Sequence, residues 1–146
     1  MKLLDVNMVV AAHRTDHPQH DVVGSWFAAL TSGDEQFWVP DTVWASFVRI
    51  STNRRIFAVP TPLDAAFAFL RAVREQPNHV NLAPTDHHLA LFETLCQDGD
   101  APGDLAAHAY LAALALDHGC ELVSLDRDFA RFSGLSWVRP GDPVAP

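Results

Sequence analysis

The chain alternates short apolar runs with longer stretches of helical periodicity. Residues 2–5 read as a buried strand that stops at an acid, Asp5, and residues 121–125 read as a second one that stops before Asp126. Residues 36–39 and 135–138 are shorter runs of the same kind, and Val80 and Leu82 mark another brief strand. Between them lie the helices. Asp5 and Asn7 can cap a helix from Val6 to about Arg14. After Pro18, the residues Val22, Val23, Trp26, Phe27 and Leu30 recur at helical spacing up to Gly33. Pro40 and Asp41 open a third helix on Val43, Trp44, Phe47, Val48 and Ile50. The run Thr61-Pro62-Leu63-Asp64 begins a fourth that reaches about Glu75, and Asp86 caps a fifth to about Gln97. After a loop over 99–103, an alanine- and leucine-rich helix runs from Asp104 to His118 and closes at Gly119. Strands alternating with helices predict an α/β fold, a mostly parallel sheet with helices on both faces. No linker or repeat divides the chain, so residues 1–146 are expected to form a single domain.

This order gives the acids their interest. In an open parallel sheet, groups at the carboxyl ends of strands meet in one crevice. Asp5 and Asp126 stand at such ends. Carboxylates brought together repel one another unless protons or a hard cation compensate, so the pair points to a divalent-metal site. Each acid also has a simpler job open to it. Asp5 and Asp104 suit helix caps, and Asp126 with Asp128 suits a turn after a strand. His108 lies four residues after Asp104, on the same helical face one turn on. An Asp-x-x-x-His pair can bind a cation through both groups, and imidazole favours Mn²⁺ or Zn²⁺ over Mg²⁺. Asp41 reads as a helix-start residue in a favourable dipole. His13, His17 and His20 have zinc-like spacing but lack partners that complete a site.

Charge and composition narrow the classes. A formal charge of −8 argues against broad nonspecific nucleic-acid binding but leaves room for a local basic patch. One such patch exists: Arg49, Arg54 and Arg55 surround Ser51-Thr52-Asn53 at the end of the third helix. Arginines grouped with short polar donors suit phosphate contacts, and equally suit a solvated helix C-terminus. The cysteines, Cys96 and Cys120, lack metal-ligand spacing and read as free buried thiols in a reducing cytosol. The start of the chain does not read as a signal peptide, and no stretch reaches the ~20 apolar residues that span a bilayer. A cytoplasmic protein without membrane partners is the expectation.

Several segments together resemble a known family. They are Leu3-Leu4-Asp5-Val6-Asn7, then Phe47-Val48-Arg49-Ile50-Ser51-Thr52-Asn53-Arg54-Arg55-Ile56-Phe57. Next come His108-Ala109-Tyr110-Leu111-Ala112-Ala113-Leu114-Ala115 and Ser124-Leu125-Asp126-Arg127-Asp128-Phe129-Ala130-Arg131-Phe132, and last Gly134-Leu135-Ser136-Trp137. In this order they resemble PIN domains, and among those the VapC toxins of toxin–antitoxin pairs, in the subgroup common in actinobacteria. The resemblance implies a three-layer α/β/α sandwich and an endoribonuclease using Mg²⁺ or Mn²⁺ on structured RNA such as tRNA. It also implies a small VapB-type antitoxin that sets a basic side chain among the acids. Carried over residue by residue, the resemblance matches Asp5 and Asp126 to family acids, with Asp128 beside the second, and Asp104 is expected to supply the carboxylate missing where His108 stands. The expected catalytic set is then Asp5, Asp126 and Asp104, and the expected metal set Asp5, Asp104, His108, Asp126 and Asp128. Asn7, Arg49, Asn53, Arg54 and Arg55 are the expected RNA contacts, with Asn7 bonded to Asp5 or to the reacting water.

Two departures stand out. Trp44-Ala45-Ser46 has no acid where the family often carries Glu, and His108 stands where the family has Asp. They keep a second expectation open: a degenerate PIN domain that binds RNA or antitoxin with little or no catalysis. A metal-dependent phosphatase is a third, disfavoured by the motif order. The apolar residues Val22, Trp26, Phe67, Phe69 and Leu70 are divided between core burial and a homodimer surface.

Overall fold

In a computed structural model that describes residues 1–143, four short strands form one parallel sheet in the order β2-β1-β3-β4. Strand β1 is Lys2–Leu4, β2 Phe37–Trp38, β3 Glu121–Val123 and β4 Trp137–Val138. The helices are α1 (Val6–His13), α2 (His20–Ser32), α3 (Asp41–Ser51), α4 (Leu63–Arg74), α5 (His88–Asp98) and α6 (Leu105–His118), with a 3₁₀ turn over Arg127–Arg131. Helix α1 packs on α2 and α3, and α3 on α4, while α5 packs on α6. The sheet between these groups makes the three-layer α/β/α sandwich.

The strands can be this short because both their faces are covered. Leu3, Leu4, Phe37, Leu122 and Val123 are fully buried. Helix α6 supplies much of the surrounding wall through Ala109, Leu111, Ala112, Ala113, Leu114 and Ala115, all buried. It ends at Gly119, whose φ of 62° is the left-handed conformation that a helix C-terminus often needs and that glycine adopts without strain. The consequence for function is register. Leu4 pairs with Val123, so the residues leaving β1 and β3 emerge side by side at the carboxyl edge.

Several sequence expectations change. The strand at 80–82 reduces to a single bridge between Phe37 and His79, closed by Phe37 N–H to Asn78 O and Val80 N–H to Phe37 O. Pro77 and Pro84 flank it and lack the N–H a longer ladder needs. Asp86 does not cap α5; the Thr85 hydroxyl accepts the His87 N–H at 3.1 Å instead. His88, at the start of α5, is 1% exposed. Of the apolar surplus, Trp26, Phe69 and Leu70 pack against the core, whereas Val22 and Phe67 stay exposed. Both cysteines are free, Cys120 buried and Cys96 half-buried. His13, His17 and His20 engage Thr61, the Gln19 N–H and the Ala11 carbonyl separately. Among the described residues no helix is long and apolar enough to cross a membrane.

Candidate active site

Asp5 leaves β1 with its N–H bonded to the Val123 carbonyl at 3.0 Å, which fixes it beside the exit of β3. Its side chain caps α1: Oδ1 accepts the Val6 N–H at 2.7 Å. Oδ2 accepts a hydrogen bond from the hydroxyl of Ser124, also at 2.7 Å. That hydroxyl, fully buried, accepts in turn from the Asp126 N–H at 3.0 Å and from Asn7 Nδ2 at 3.0 Å. Asn7 Oδ1 accepts the Leu125 N–H at 3.1 Å. One serine oxygen thus ties together the first residues after both central strands. Asn7, expected on Asp5 or on the reacting water, bonds to Ser124 and reaches Asp5 through it.

Asp126 is held from three sides. Its Oδ1 accepts the Asp128 N–H at 2.9 Å, and its backbone N–H is fixed by Ser124. Its Oδ2 lies 2.8 Å from His108 Nε2. The His108 ring rests on Phe129, with centroids 4.8 Å apart.

The two acids sit in different electrostatic settings. Burial pushes the Asp5 carboxyl above the usual carboxylate range, and the negative charge of Asp126 adds to the push. The hydrogen bonds from Ser124 and Val6 and the nearby His108 offset it only in part. Burial also acts against ionisation of Asp126, but the Asp128 N–H, His108 and Arg131 outweigh it and hold that carboxyl below the usual range. Two carboxylates with environments that drive them apart are a common sign of divided acid–base roles.

A cavity of about 590 Å³ opens over these residues. Asp5, Asn7, His108 and Asp126 form one wall; Thr42, Ser46 and Arg49 of α3 line another; Phe92, Tyr110 and Phe129 line an apolar side. The other expected site residues lie elsewhere. Asp104 is exposed at the start of α6, makes no side-chain cap bond, and meets His108 only through its backbone carbonyl, 3.4 Å from Nδ1. Asp128 is exposed and pairs with Arg131 at 3.6 Å. Arg54 and Arg55 are exposed outside the cavity, and Asn53 Oδ1 accepts the Arg55 N–H at 2.9 Å within its own turn. The residue that sequence reasoning passed over is Ser124. Its signal was a lone hydroxyl inside the apolar run Leu122-Val123-Ser124-Leu125, two residues before an acid.

Among the described residues, no three His, Cys, Asp or Glu side chains converge into a ready metal cage. Asp5 and Asp126 nonetheless fit a hard divalent cation. Among the described residues neither forms an ion pair with Lys or Arg, and Asp5 is buried at a cost that a nearby cation would offset. Mg²⁺ commonly takes one or two carboxylates and keeps several waters, so a two-carboxylate site is sufficient.

Residues 2–135 match the family model described as PIN domain. The chain is 53% identical over 140 residues to Ribonuclease VapC31 of Mycobacterium tuberculosis, covering 96% of this chain and 99% of that protein. It is 52% identical, with the same coverage, to Ribonuclease VapC25 of the same organism. Among solved structures it resembles Mycobacterium tuberculosis VapC20, described as a sarcin-ricin loop cleaving toxin, with TM-score 0.67 and 18% identity over 96% of this chain and 100% of that one. It also resembles VapBC2 from Rickettsia felis bound to a promoter DNA fragment, with TM-score 0.66 and 18% identity over 95% and 98% of the two chains.

Proposed function

This chain belongs to the PIN-domain family, and on that premise we propose that it is an endoribonuclease with the Asp5–Asp126 crevice as its active centre. It is the toxin half of a type II toxin–antitoxin pair, with RNA as substrate and a VapB-type antitoxin as partner. The observation that carries the site assignment is the Ser124 bridge, which locks the residues after β1 and β3 into one acidic wall of a cavity. We read the whole chain as one domain in the cytoplasm and the exposed Val22 and Phe67 as candidates for a homodimer contact.

Asp5 and Asp126 would hold the divalent ion that PIN ribonucleases generally depend on. When bound, such an ion lowers the pKa of a coordinated water and polarises a phosphoryl oxygen. The chain's own groups do the rest. Ser124 keeps Asp5 aimed into the cavity, and His108 fixes Asp126 through Oδ2. A carboxylate oxygen of this pair not engaged by the ion would accept a proton from the attacking water. Arg49 on the cavity wall orients the RNA phosphate, while Arg54, Arg55 and Asn53 lie outside the cavity in the turn that follows the same helix. Asp104 and Asp128 would join only by moving from their exposed positions. The imidazole beside the acids favours Mn²⁺ over Mg²⁺.

The direct test is cleavage of structured RNAs, tRNA and sarcin-ricin stem-loops among them, with Mn²⁺ or Mg²⁺. Asp5→Ala should abolish cleavage and metal binding together, and undiminished metal-dependent cleavage by that variant would sink the assignment.

One observation favours a second reading, a PIN domain that binds RNA or antitoxin with little catalysis: His108 occupies an Asp126 oxygen that a metal would use. Calorimetric titration with Mn²⁺ separates the two. Binding by His108→Asp but not by the natural chain supports the second reading; binding by the natural chain supports the nuclease.

A further inference from the structure

The apolar side of the cavity has no part in the chemistry described so far. Val43, Leu111 and Phe129 on it are buried, but Phe92 and Tyr110 are only half-buried, and their rings meet edge to face at 5.6 Å and 74°. They are held from behind. His88, 1% exposed, lies 4.4 Å from the Tyr110 ring at 72° and parallel to Phe92 at 6.4 Å, and its Nε2 is 3.1 Å from the Tyr110 carbonyl oxygen. A buried, bonded histidine at the α5–α6 contact thus sets two aromatic rings in place before any ligand arrives.

We propose that Phe92 and Tyr110 form a subsite for one unstacked nucleobase of the RNA, seated next to the phosphate that Asp5 and Asp126 face. The proposal rests on the nuclease reading and names the substrate feature that reading leaves open. Three observations favour a base over a protein side chain as occupant. The aromatic side is continuous with the acidic wall, so one nucleotide can present its base to one and its phosphate to the other. Arg49, Thr42 and Ser46 line the same cavity and suit a phosphate and ribose, for which an apolar side chain has no counterpart. The chain carries a net charge of −8, so general attraction to RNA is weak and stacking has to supply affinity that charge does not. Paired bases are shut inside an A-form helix and cannot reach such a wall, which makes an extruded or loop nucleotide the substrate feature.

The experiment measures binding by fluorescence anisotropy in EDTA, where no cleavage occurs, to RNA hairpins of one stem. One has an intact loop, others carry a single abasic nucleotide walked around the loop, and the last is a fully paired duplex. The natural chain should prefer the intact loop about tenfold over the duplex and over one abasic position. Tyr110→Leu and Phe92→Leu stay apolar but remove the ring face; each should erase most of that preference while leaving duplex affinity and the circular-dichroism spectrum of the folded chain unchanged, and Tyr110→Trp should restore it. Equal affinity for every abasic RNA, or full preference in both leucine variants, overturns the subsite. If those variants keep the preference but lose antitoxin binding, the occupant is a protein side chain and the proposal fails. A chain that cuts RNA with metal but shows no loop preference refutes the subsite alone, and one that neither binds nor cuts RNA refutes the nuclease reading with it.

Discussion

The two ends of the same pair of strands are built on opposite electrostatic rules. At the amino end, Lys2 of β1 pairs with Glu121 of β3 and lies 3.6 Å from Glu35, beside the N-terminal amine. Each charge there has an opposite charge next to it. Beyond the carboxyl ends of β1 and β3 the charged groups are Asp5 and Asp126, which no Lys or Arg pairs with among the described residues. A hydroxyl, backbone amides and one imidazole hold them instead. Hydrogen bonds fix a carboxylate without cancelling its charge, so this end stays ready to receive a cation while the other end is already neutralised. A fold that needed the acids only for stability would treat both ends like the first.

The largest break in this contrast should come from Ser124→Ala, which removes the atom shared by Asp5, Asn7 and Asp126. RNA cleavage is expected to fall about 10- to 100-fold, the usual consequence of losing a group that orients metal-binding residues. The buried Asp5 oxygen left without a donor should cost roughly 1–3 kcal/mol in denaturant unfolding. Ser136→Ala at the amino end, where the hydroxyl only touches Glu121 at 3.3 Å, is the control and should change neither.

Acidity sharpens the contrast next. Because burial raises the Asp5 carboxyl in the folded chain, the native state holds that proton more tightly than the unfolded one. This contribution to stability is full below the ordinary Asp range and fades as pH rises through the folded value. Asp126 is lowered, so its contribution has the opposite sign, present above the ordinary range and lost on acidification. Denaturant midpoints between pH 3 and 7, on the scale of carboxylate titration, should therefore change slope in Asp5→Asn in the direction of greater relative stability at high pH. An identical slope in both proteins would mean that folding does not raise the Asp5 carboxyl. His79 adds a separate acid sensitivity: burial, with the charge of Arg74, lowers its pKa to about 4, and neither ring nitrogen has a partner among the described residues. Unfolding frees it to take a proton, so stability should decline as pH falls from about 6.5 towards 4, and His79→Phe should lessen that decline.

The smallest effect should come from the amino end. Lys2→Met should shift stability by no more than about 1 kcal/mol, since the ion pairs it loses are partly solvated, and should leave cleavage unchanged. A loss of activity in that variant would show that the two ends are coupled and would break the contrast drawn between them.

Periodicity alone located every helix and both central strands, because those features depend on local spacing and on burial of whole faces. It also placed Asp5 and Asp126 in one crevice, since parallel strands have only one carboxyl edge. What it did not give were side-chain directions. Asp104 and His108 share a helical face by spacing, yet His108 reaches Asp126 while Asp104, a turn nearer the helix end, stays in solvent. Arg49, Arg54 and Arg55 are close in sequence, but α3 ends at Ser51 and carries only Arg49 into the cavity. Ser124 was invisible for a different reason: a buried hydroxyl shows its worth only through partners that lie far away in sequence.

That distance has a consequence for how the chain comes into being. Asp5 and Ser124 are 119 residues apart, and β1, the first strand made, lies between β2 and β3 in the sheet. Asp5 has nothing to complete the crevice with until the segment carrying Ser124 has followed it. Sequence-distant pairings of this kind form late and cooperatively. For the crevice the effect is all-or-none assembly: the acidic wall exists only once the two ends of the chain have paired.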